Sequence, residues 1–403
     1  MKGIVAWTLC LLLTALCAPA AARQIEEGEP FTIAVAADLH VNPANRDTGL
    51  INPLVPYNLE ITDALLWDAA GSGADVLLLC GDITNQGRLV QHEALTEKLR
   101  QAEESGLTVY VLPGNHDIGE TGTDAFARLY EDFGYGEAYS RDPASLSYSV
   151  RVGSYLLLLL DTNGYTGQRY EASLSEATLA WMQGQLELAR EKGWPVIAAG
   201  HYPLLTGYST PFVHKDRAAG LLESYGVQLY LAGHLHKRCV AVQGELAELV
   251  VDQAIAYPCC YAMLEVDGES CRYTPRQIAV SDWAAQSGTY DPSLLGFDAC
   301  QTELEQARCR GIVERLRGDR DVGAEALAQA EDFFWQLMDS RAHGTVSEHA
   351  DALRAHPGYG LLVELAVGTI YNSWIPSVIE SAVPYTTGFL LRDHRMMSPD
   401  GSE

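Results

Sequence analysis

Hydrophobic residues along this chain follow two rhythms. From residue 31 to about 240 they form short, almost continuous runs, among them Phe31–Ala37, Val76–Cys80, Leu107–Leu112, Val196–Ala199 and Val227–Leu231. Runs of that length with at most one polar residue suit strands covered on both faces. Between them, Tyr57–Ala70, Leu89–Glu104 and Ser175–Lys192 carry apolar residues three and four apart and read as helices. Ser145–Val152 and Tyr155–Leu160 flank Gly153 as an antiparallel pair, and Cys239–Val280 reads as hairpins with a turn at Asp267-Gly268. This alternation predicts a layered α/β sandwich. Past a linker at residues 287–292 the strands cease. Apolar spacing between Asp298 and Ala382, punctuated by Gly318 and Pro357, predicts an all-α bundle of three or four helices. The expected division is a leader over 1–22, the α/β domain over 23–290, a helical domain over 291–392 and a disordered tail over 393–403.

Composition supports a folded chain, since 47% of its 403 residues are hydrophobic and a large core is possible. The N-terminus has Lys2, an apolar run from Ile4 to Ala15, and small residues from Ala18 to Ala22. That order predicts a signal peptide cleaved after Ala20 or Ala22, and hence a secreted or extracytoplasmic protein. The apolar run is shorter than the roughly 20 residues of a membrane span, and no later segment is long enough. Bulky Leu16 argues against a lipid anchor on Cys17. The formal charge of −26 repels polyanions, and no basic run is present to neutralise phosphates, so duplex nucleic acid is not expected as a partner. A small anionic substrate held by local positive charge is compatible with that field. Seven cysteines remain after the leader, an odd number. Cys80 reads as a core thiol, and a disulfide is conceivable among Cys239, Cys259, Cys260 and Cys271. The oligomeric state is left open.

Six short polar clusters stand where strands end: Asp38-Leu39-His40, Gly81-Asp82-Ile83-Thr84-Asn85, Gly114-Asn115-His116-Asp117, Gly200-His201, Gly233-His234 and His236. In α/β sheets, binding groups collect at strand carboxyl ends, so residues nearly 200 positions apart can share one rim. The flanking glycines Gly81, Gly114, Gly200 and Gly233 are expected to permit sharp turns. Singly, the clusters have ordinary explanations: Asp38 as a helix cap, Asp82 in a turn, His234 and His236 as a hydrogen-bonded pair. Together they hold enough carboxylates and imidazoles for two metal ions. Arg88, Tyr202, Tyr208, His214 and Lys215 follow in loops, where substrate contact and plain solvation are both open.

The ordered set Asp-x-His, Gly-Asp-x-x-Asn, Gly-Asn-His-Asp, Gly-His and Gly-His-x-His resembles the calcineurin-like metallophosphoesterase superfamily over residues 31 to about 240. Within it the chain looks most like class III cyclic-nucleotide phosphodiesterases, especially secreted bacterial members with an appended helical domain. The resemblance implies a two-sheet β-sandwich flanked by helices in αββα layers. It also implies that Asp38, His40, Asp82 and His236 hold one metal, and that Asp82 bridges to a second held by Asn115, His201 and His234. A shared carboxylate sets two cations about 3.5–4 Å apart and acidifies a water between them to a hydroxide that attacks phosphorus. Mixed imidazole and carboxylate ligands favour manganese, iron or zinc. His116 is left for the substrate, as transition-state stabiliser or general acid, with Asp117 expected to orient it.

Asn85 stands where a purple acid phosphatase carries its tyrosine ligand, and Asn85-Gln86-Gly87-Arg88 lacks the Asp-Arg-Gly run of protein phosphatases. The expectation is therefore a phosphodiesterase acting on a small diester, with a cyclic nucleotide favoured. A phosphomonoesterase or nucleotidase on the same metals is the alternative, and a partner-binding scaffold with a vestigial site is the non-enzymatic one.

Overall fold

The structure is a computed structural model and describes residues 23–44, 52–164, 171–207, 210–268, 270–380 and 386–402. The leader over 1–22 and Tyr208 lie outside the described residues.

Sixteen strands are described: β1 (Phe31–Ala36), β2 (Val76–Cys80), β3 (Thr108–Leu112), β4 (Ser140–Arg141), β5 (Tyr148–Val152), β6 (Tyr155–Leu160), β7 (Ala172–Ser173), β8 (Val196–Gly200), β9 (Phe212–Val213), β10 (Leu229–Ala232), β11 (Cys239–Gln243), β12 (Leu246–Val250), β13 (Cys260–Asp267), β14 (Ser270–Gln277), β15 (Phe389–Arg392) and β16 (Arg395–Met397). One sheet runs β16-β15-β14-β13-β1-β2-β3 and the other β11-β12-β10-β8-β6-β5-β4, with β7 and β9 forming a small separate pair. The expected two-sheet sandwich is what the chain forms. β1, β2 and β3 are parallel, as are β6, β8, β10 and β12, so both sheets send carboxyl ends towards one rim.

The apolar runs explain why these segments are central strands. Leu77, Leu78 and Leu79 of β2 are all fully buried, on both faces of the sheet. Burying each of those side chains contributes about 2 kcal/mol. Helices cover the outer faces where their spacing was recognisable, including Asn58–Gly71, Leu89–Glu104 and Glu176–Lys192. The last starts where the Ser175 hydroxyl accepts from the Thr178 amide at 3.0 Å, and stops at Gly193 in the left-handed region. Tyr148 Oη donates to the Val111 carbonyl at 2.6 Å and ties the two sheets together near the rim.

The C-terminal region departs from expectation in three respects. Five helices are described there rather than three or four: Phe297–Arg317, Ala324–His343, Val346–Ala355, Pro357–Leu365 and Tyr371–Glu380. They enclose a core of their own around Phe333, Phe334, Leu337 and Leu362. The entry to this unit is not a free linker, because Val280, Ala284, Leu294 and Phe297 are part of the sandwich core. Residues after Arg392 do not form a disordered tail either. Phe389–Arg392 pairs with β14 and turns back as β16, because alternating Phe389 and Leu391 bury their side chains against the sheet. The helices are thus inserted between two neighbouring strands of one sheet. All seven described cysteines are unpaired, so the conceivable disulfide is not formed. No helix among the described residues is long and apolar enough to cross a membrane.

Candidate metal centre

Every cluster read from the sequence arrives at the rim. Asp38 and His40 follow β1, Asp82 follows β2, Asn115 and His116 follow β3, His201 follows β8, and His234 and His236 follow β10. Backbone bonds set the loops beside one another: Asp38 N–H to the Gly81 carbonyl at 3.0 Å, His40 N–H to the Asp82 carbonyl at 2.9 Å, and Gly233 N–H to the His201 carbonyl at 3.0 Å. His201 Nδ1 donates to the Cys80 carbonyl at 3.0 Å, which joins the second sheet to the first and turns Nε2 towards Asn115 and Asp82.

The backbone is bent to aim these side chains. Nine described non-glycine residues have φ between 45° and 70°, and five of them are Asp38, His40, Asp82, His234 and His236. Such conformations cost of order 1–3 kcal/mol each and persist only where the surroundings enforce them. The glycines serve differently from expectation. Only Gly81 of the four adopts a positive φ. Gly114 and Gly233 are required by close approach. A side chain at Gly114 would collide with the Asp82 amide and carboxylate, and one at Gly233 would lie 2.6 Å from Ala37 Cβ and 2.9 Å from Asp38 Oδ2.

Two ligand sets result. Atoms of Asp38, His40, Asp82 and His236 all lie within 4.8 Å of one another. His40 Nε2 and His236 Nε2 are 3.2 Å apart, and Asp38 Oδ1 is 3.3 Å from His236 Nε2. Asp82 Oδ2 faces the other way as well, 3.4 Å from His201 Nε2. Asn115 Oδ1 is 3.1 Å from His201 Nε2 and 3.1 Å from His234 Nδ1. Carboxylate, imidazole and amide acceptors crowded at these distances fit cations between them, and Asp82 is placed to belong to both sets.

The electrostatics agree. Burial pushes His40 and His234 down to about 4, so both are neutral with lone pairs available. Burial would lower His201 too, but the Asp82 and Asp38 carboxylates outweigh it and hold its imidazolium up to about 9 in the absence of a metal. Burial works against ionised Asp82, yet His201 and His40 hold it well below the usual carboxylate range. A bound cation would displace the His201 proton.

His116 lines the cavity beside His40 and His236. Its Nδ1 stands 2.6 Å from the Asn85 carbonyl, a bond that requires the proton on Nδ1. Nε2 lies 3.9 Å from Asp82 Oδ2, at the margin of the first set. Asp117 does not orient it. The Asp117 carboxylate accepts from the Ile83 amide (3.2 Å), the Thr84 amide (2.7 Å), the Thr84 hydroxyl (2.8 Å) and the Gly114 amide (2.7 Å). A carboxylate so engaged pins the Asp82 loop to the Asn115 loop. Burial, aided by Asp82, raises it to about 7. The orienting role falls to a backbone carbonyl, which no residue identity at position 85 could have signalled.

A cavity of about 620 Å³ opens over the cluster. His40, His116 and His236 contribute to its lining, as do Tyr257 and two helices of the inserted unit through Arg308 and Arg341. Those helix residues were missed from sequence, where they look like the polar faces of amphipathic helices. Of the loop residues left open, Tyr202 is buried with its ring 4.2 Å from that of His234, a packing role. Arg88, His214 and Lys215 do not line the cavity.

A two-sheet sandwich with this ligand set at its rim defines a metallophosphoesterase. The profile of the calcineurin-like phosphoesterase family matches residues 31–238, and the chain belongs to that family. Serine/threonine-protein phosphatase CPPED1 of Homo sapiens is 28% identical over 195 residues, covering 44% of this chain and 58% of the relative. Tartrate-resistant acid phosphatase type 5 of Homo sapiens is 27% identical over 140 residues, 32% of this chain and 42% of the relative. The chain therefore spans about half the length of these curated relatives, 58% of the one and 42% of the other. A dimetal phosphatase from Danio rerio superposes with a TM-score of 0.51 at 14% identity, over 62% of this chain and 98% of its own, a likeness of fold.

Proposed function

We propose that this chain hydrolyses a small phosphodiester, with a cyclic nucleotide as the favoured substrate. The observation that carries this reading is the placement of His116 beside the ligand cluster and at the mouth of a roomy cavity. Two metal ions, of manganese, iron or zinc, held by Asp38, His40, Asp82 and His236 and by Asp82, Asn115, His201 and His234, would polarise the phosphoryl oxygens and make water nucleophilic at neutral pH. The chain's own residues do the rest. The strained loops fix the ligand atoms before substrate arrives, so little reorganisation is left for the reaction itself. The Asn85 carbonyl holds the Nδ1 proton of His116, so Nε2 is the atom that would deliver a proton to the leaving ester oxygen. The cavity leaves space for both substituents of a diester around the reacting phosphorus.

Hydrolysis of a monoester is the second reading, favoured by the curated relatives being named as phosphatases. Rates on bis-p-nitrophenyl phosphate and p-nitrophenyl phosphate with manganese supplied separate the two. A strong monoester preference would overturn the diesterase reading. Among natural substrates, 2',3'- and 3',5'-cyclic nucleotides are the first to compare. The small-residue leader further supports an extracytoplasmic location, which cleavage near Ala22 in exported protein would test.

A further inference from the structure

The inserted helices bring positive charge to the cavity of a strongly acidic protein. Five charged side chains besides the histidines line it: Lys237, Asp252, Glu305, Arg308 and Arg341. Two of the carboxylates are already engaged. Glu305 is paired with Arg308 through Nε and one terminal nitrogen, and Asp252 is paired with Arg238 at 2.6 Å. Arg341 differs. No described residue accepts a hydrogen bond from it, and its one close partner is the Trp374 ring, with the guanidinium carbon 5.6 Å from the ring centroid. An aromatic contact occupies the face of a guanidinium and leaves its in-plane N–H groups free to donate. Burial lowers its affinity for the proton and Arg308 adds to that, against the opposing pull of Cys239, Asp252 and Glu305.

We propose that Arg341 is a specificity-determining residue that receives a second phosphate on the substrate, carried on the part remote from the reacting phosphorus. The proposal rests on the phosphoesterase reading of the cluster and adds a substrate class to it: a phosphodiester that also bears a phosphomonoester group. Planar bidentate donation to phosphate is what a guanidinium supplies and a lone ammonium does not. Placing this residue on an inserted helix separates recognition from the reacting centre. The rim fixes the chemistry, and the insertion reads the rest of the molecule.

The test compares two chromogenic diesters with the same leaving group, thymidine 5'-(p-nitrophenyl phosphate) and its 3'-phosphorylated counterpart. Wild type is expected to favour the 3'-phosphorylated diester in kcat/KM by about tenfold or more, mainly through KM, the usual worth of a charge-assisted bond. In Arg341→Ala the ratio falls towards one, and Arg341→Lys recovers part of it. Equal kcat/KM values in wild type, or an undiminished ratio in Arg341→Ala, overturn the proposal. Calorimetric binding of thymidine 3',5'-bisphosphate against thymidine 5'-monophosphate gives a second readout that needs no turnover. If neither diester is hydrolysed but the bisphosphate binds wild type more tightly and Arg341→Ala does not show this, the diesterase reading fails while the Arg341 site stands. Equal binding of the two nucleotides by wild type sinks the site whatever the turnover.

Discussion

Arg238 is tied to Asp252 beside the metal rim, and its loss should be costly. It lies two residues past His236 and is 8% exposed. Nε and one terminal nitrogen donate to Asp252 Oδ2 at 2.8 and 2.6 Å, while the other terminal nitrogen reaches the His343 and Thr386 carbonyls at 3.4 Å each. The long carbonyl contacts are worth little. The buried ion pair dominates, because removing one partner strands the other charge in a dry site, at about 3–5 kcal/mol. Burial already raises Asp252 despite Arg238, so its carboxylate alone would be poorly tolerated. Arg238→Met and Asp252→Leu should therefore each lower stability by about 3–5 kcal/mol, whereas the double variant, which buries no charge, should sit within about 1 kcal/mol of wild type. Urea unfolding of the four proteins gives the cycle. Metal content after dialysis should fall in both variants that lack Arg238, because the His234–His236 loop loses its anchor in each. A cost below about 1 kcal/mol for Arg238→Met, or additive single costs in the double, would refute the reasoning.

Three further outcomes follow from the site and its surroundings. His116→Ala should lower kcat on bis-p-nitrophenyl phosphate by about 10²–10⁴-fold while the protein retains two metals by elemental analysis, since its ring belongs to neither ligand set. Asp117→Asn cannot satisfy four donors with one amide oxygen, so it should cost about 2–5 kcal/mol in urea unfolding and reduce metal loading; wild-type stability would return Asp117 to a role confined to catalysis. Half-buried Glu103 is raised by burial, and further by Glu137 and Asp132, from 4.5 to about 7. A carboxyl raised on folding favours the native state at acid pH and penalises it as pH climbs through 4.5 to about 7. After allowance for solvent screening, Glu103→Gln should stabilise by about 1 kcal/mol at pH 8 and by nearly nothing at pH 4, read from unfolding midpoints at the two pH values.

The strands and ligands were legible because each has a local cause. Val76–Cys80 is apolar on both faces and had to be central, and Asp82 follows it within two residues. Helix ends were also local: Ser175 begins a helix and Gly193 ends one. What was not legible depends on contacts between distant segments. The order of strands places β13 between β14 and β1, although almost 230 residues separate β13 from β1, and no periodicity encodes that pairing. The return of Phe389–Arg392 to β14 was hidden for the same reason, since three apolar residues after a helical stretch look like part of it until an open sheet edge is known to await them. Arg341 was hidden because a helix shows its period in sequence but not what its polar face overlooks.

The strained rim and the inserted helices belong to one argument. Five ligand residues in the left-handed region carry of order 5–15 kcal/mol of conformational cost, comparable to the net stability of an ordinary domain. Glycine would remove that cost but also the ligands, so the strain has to be held by the rest of the fold. Buried β1, β2, β8 and β10 fix the strand ends on one side. On the other, Tyr257 Oη donates to Asp339 at 2.7 Å and Arg238 reaches the His343 carbonyl at 3.4 Å, which joins the loops beyond His236 to the helix Ala324–His343. That helix also carries Arg341. The element that steadies the metal ligands is therefore the one that meets the far end of the substrate. A change in its packing would alter metal affinity and substrate preference together, whereas a change confined to the Arg341 side chain would alter preference alone.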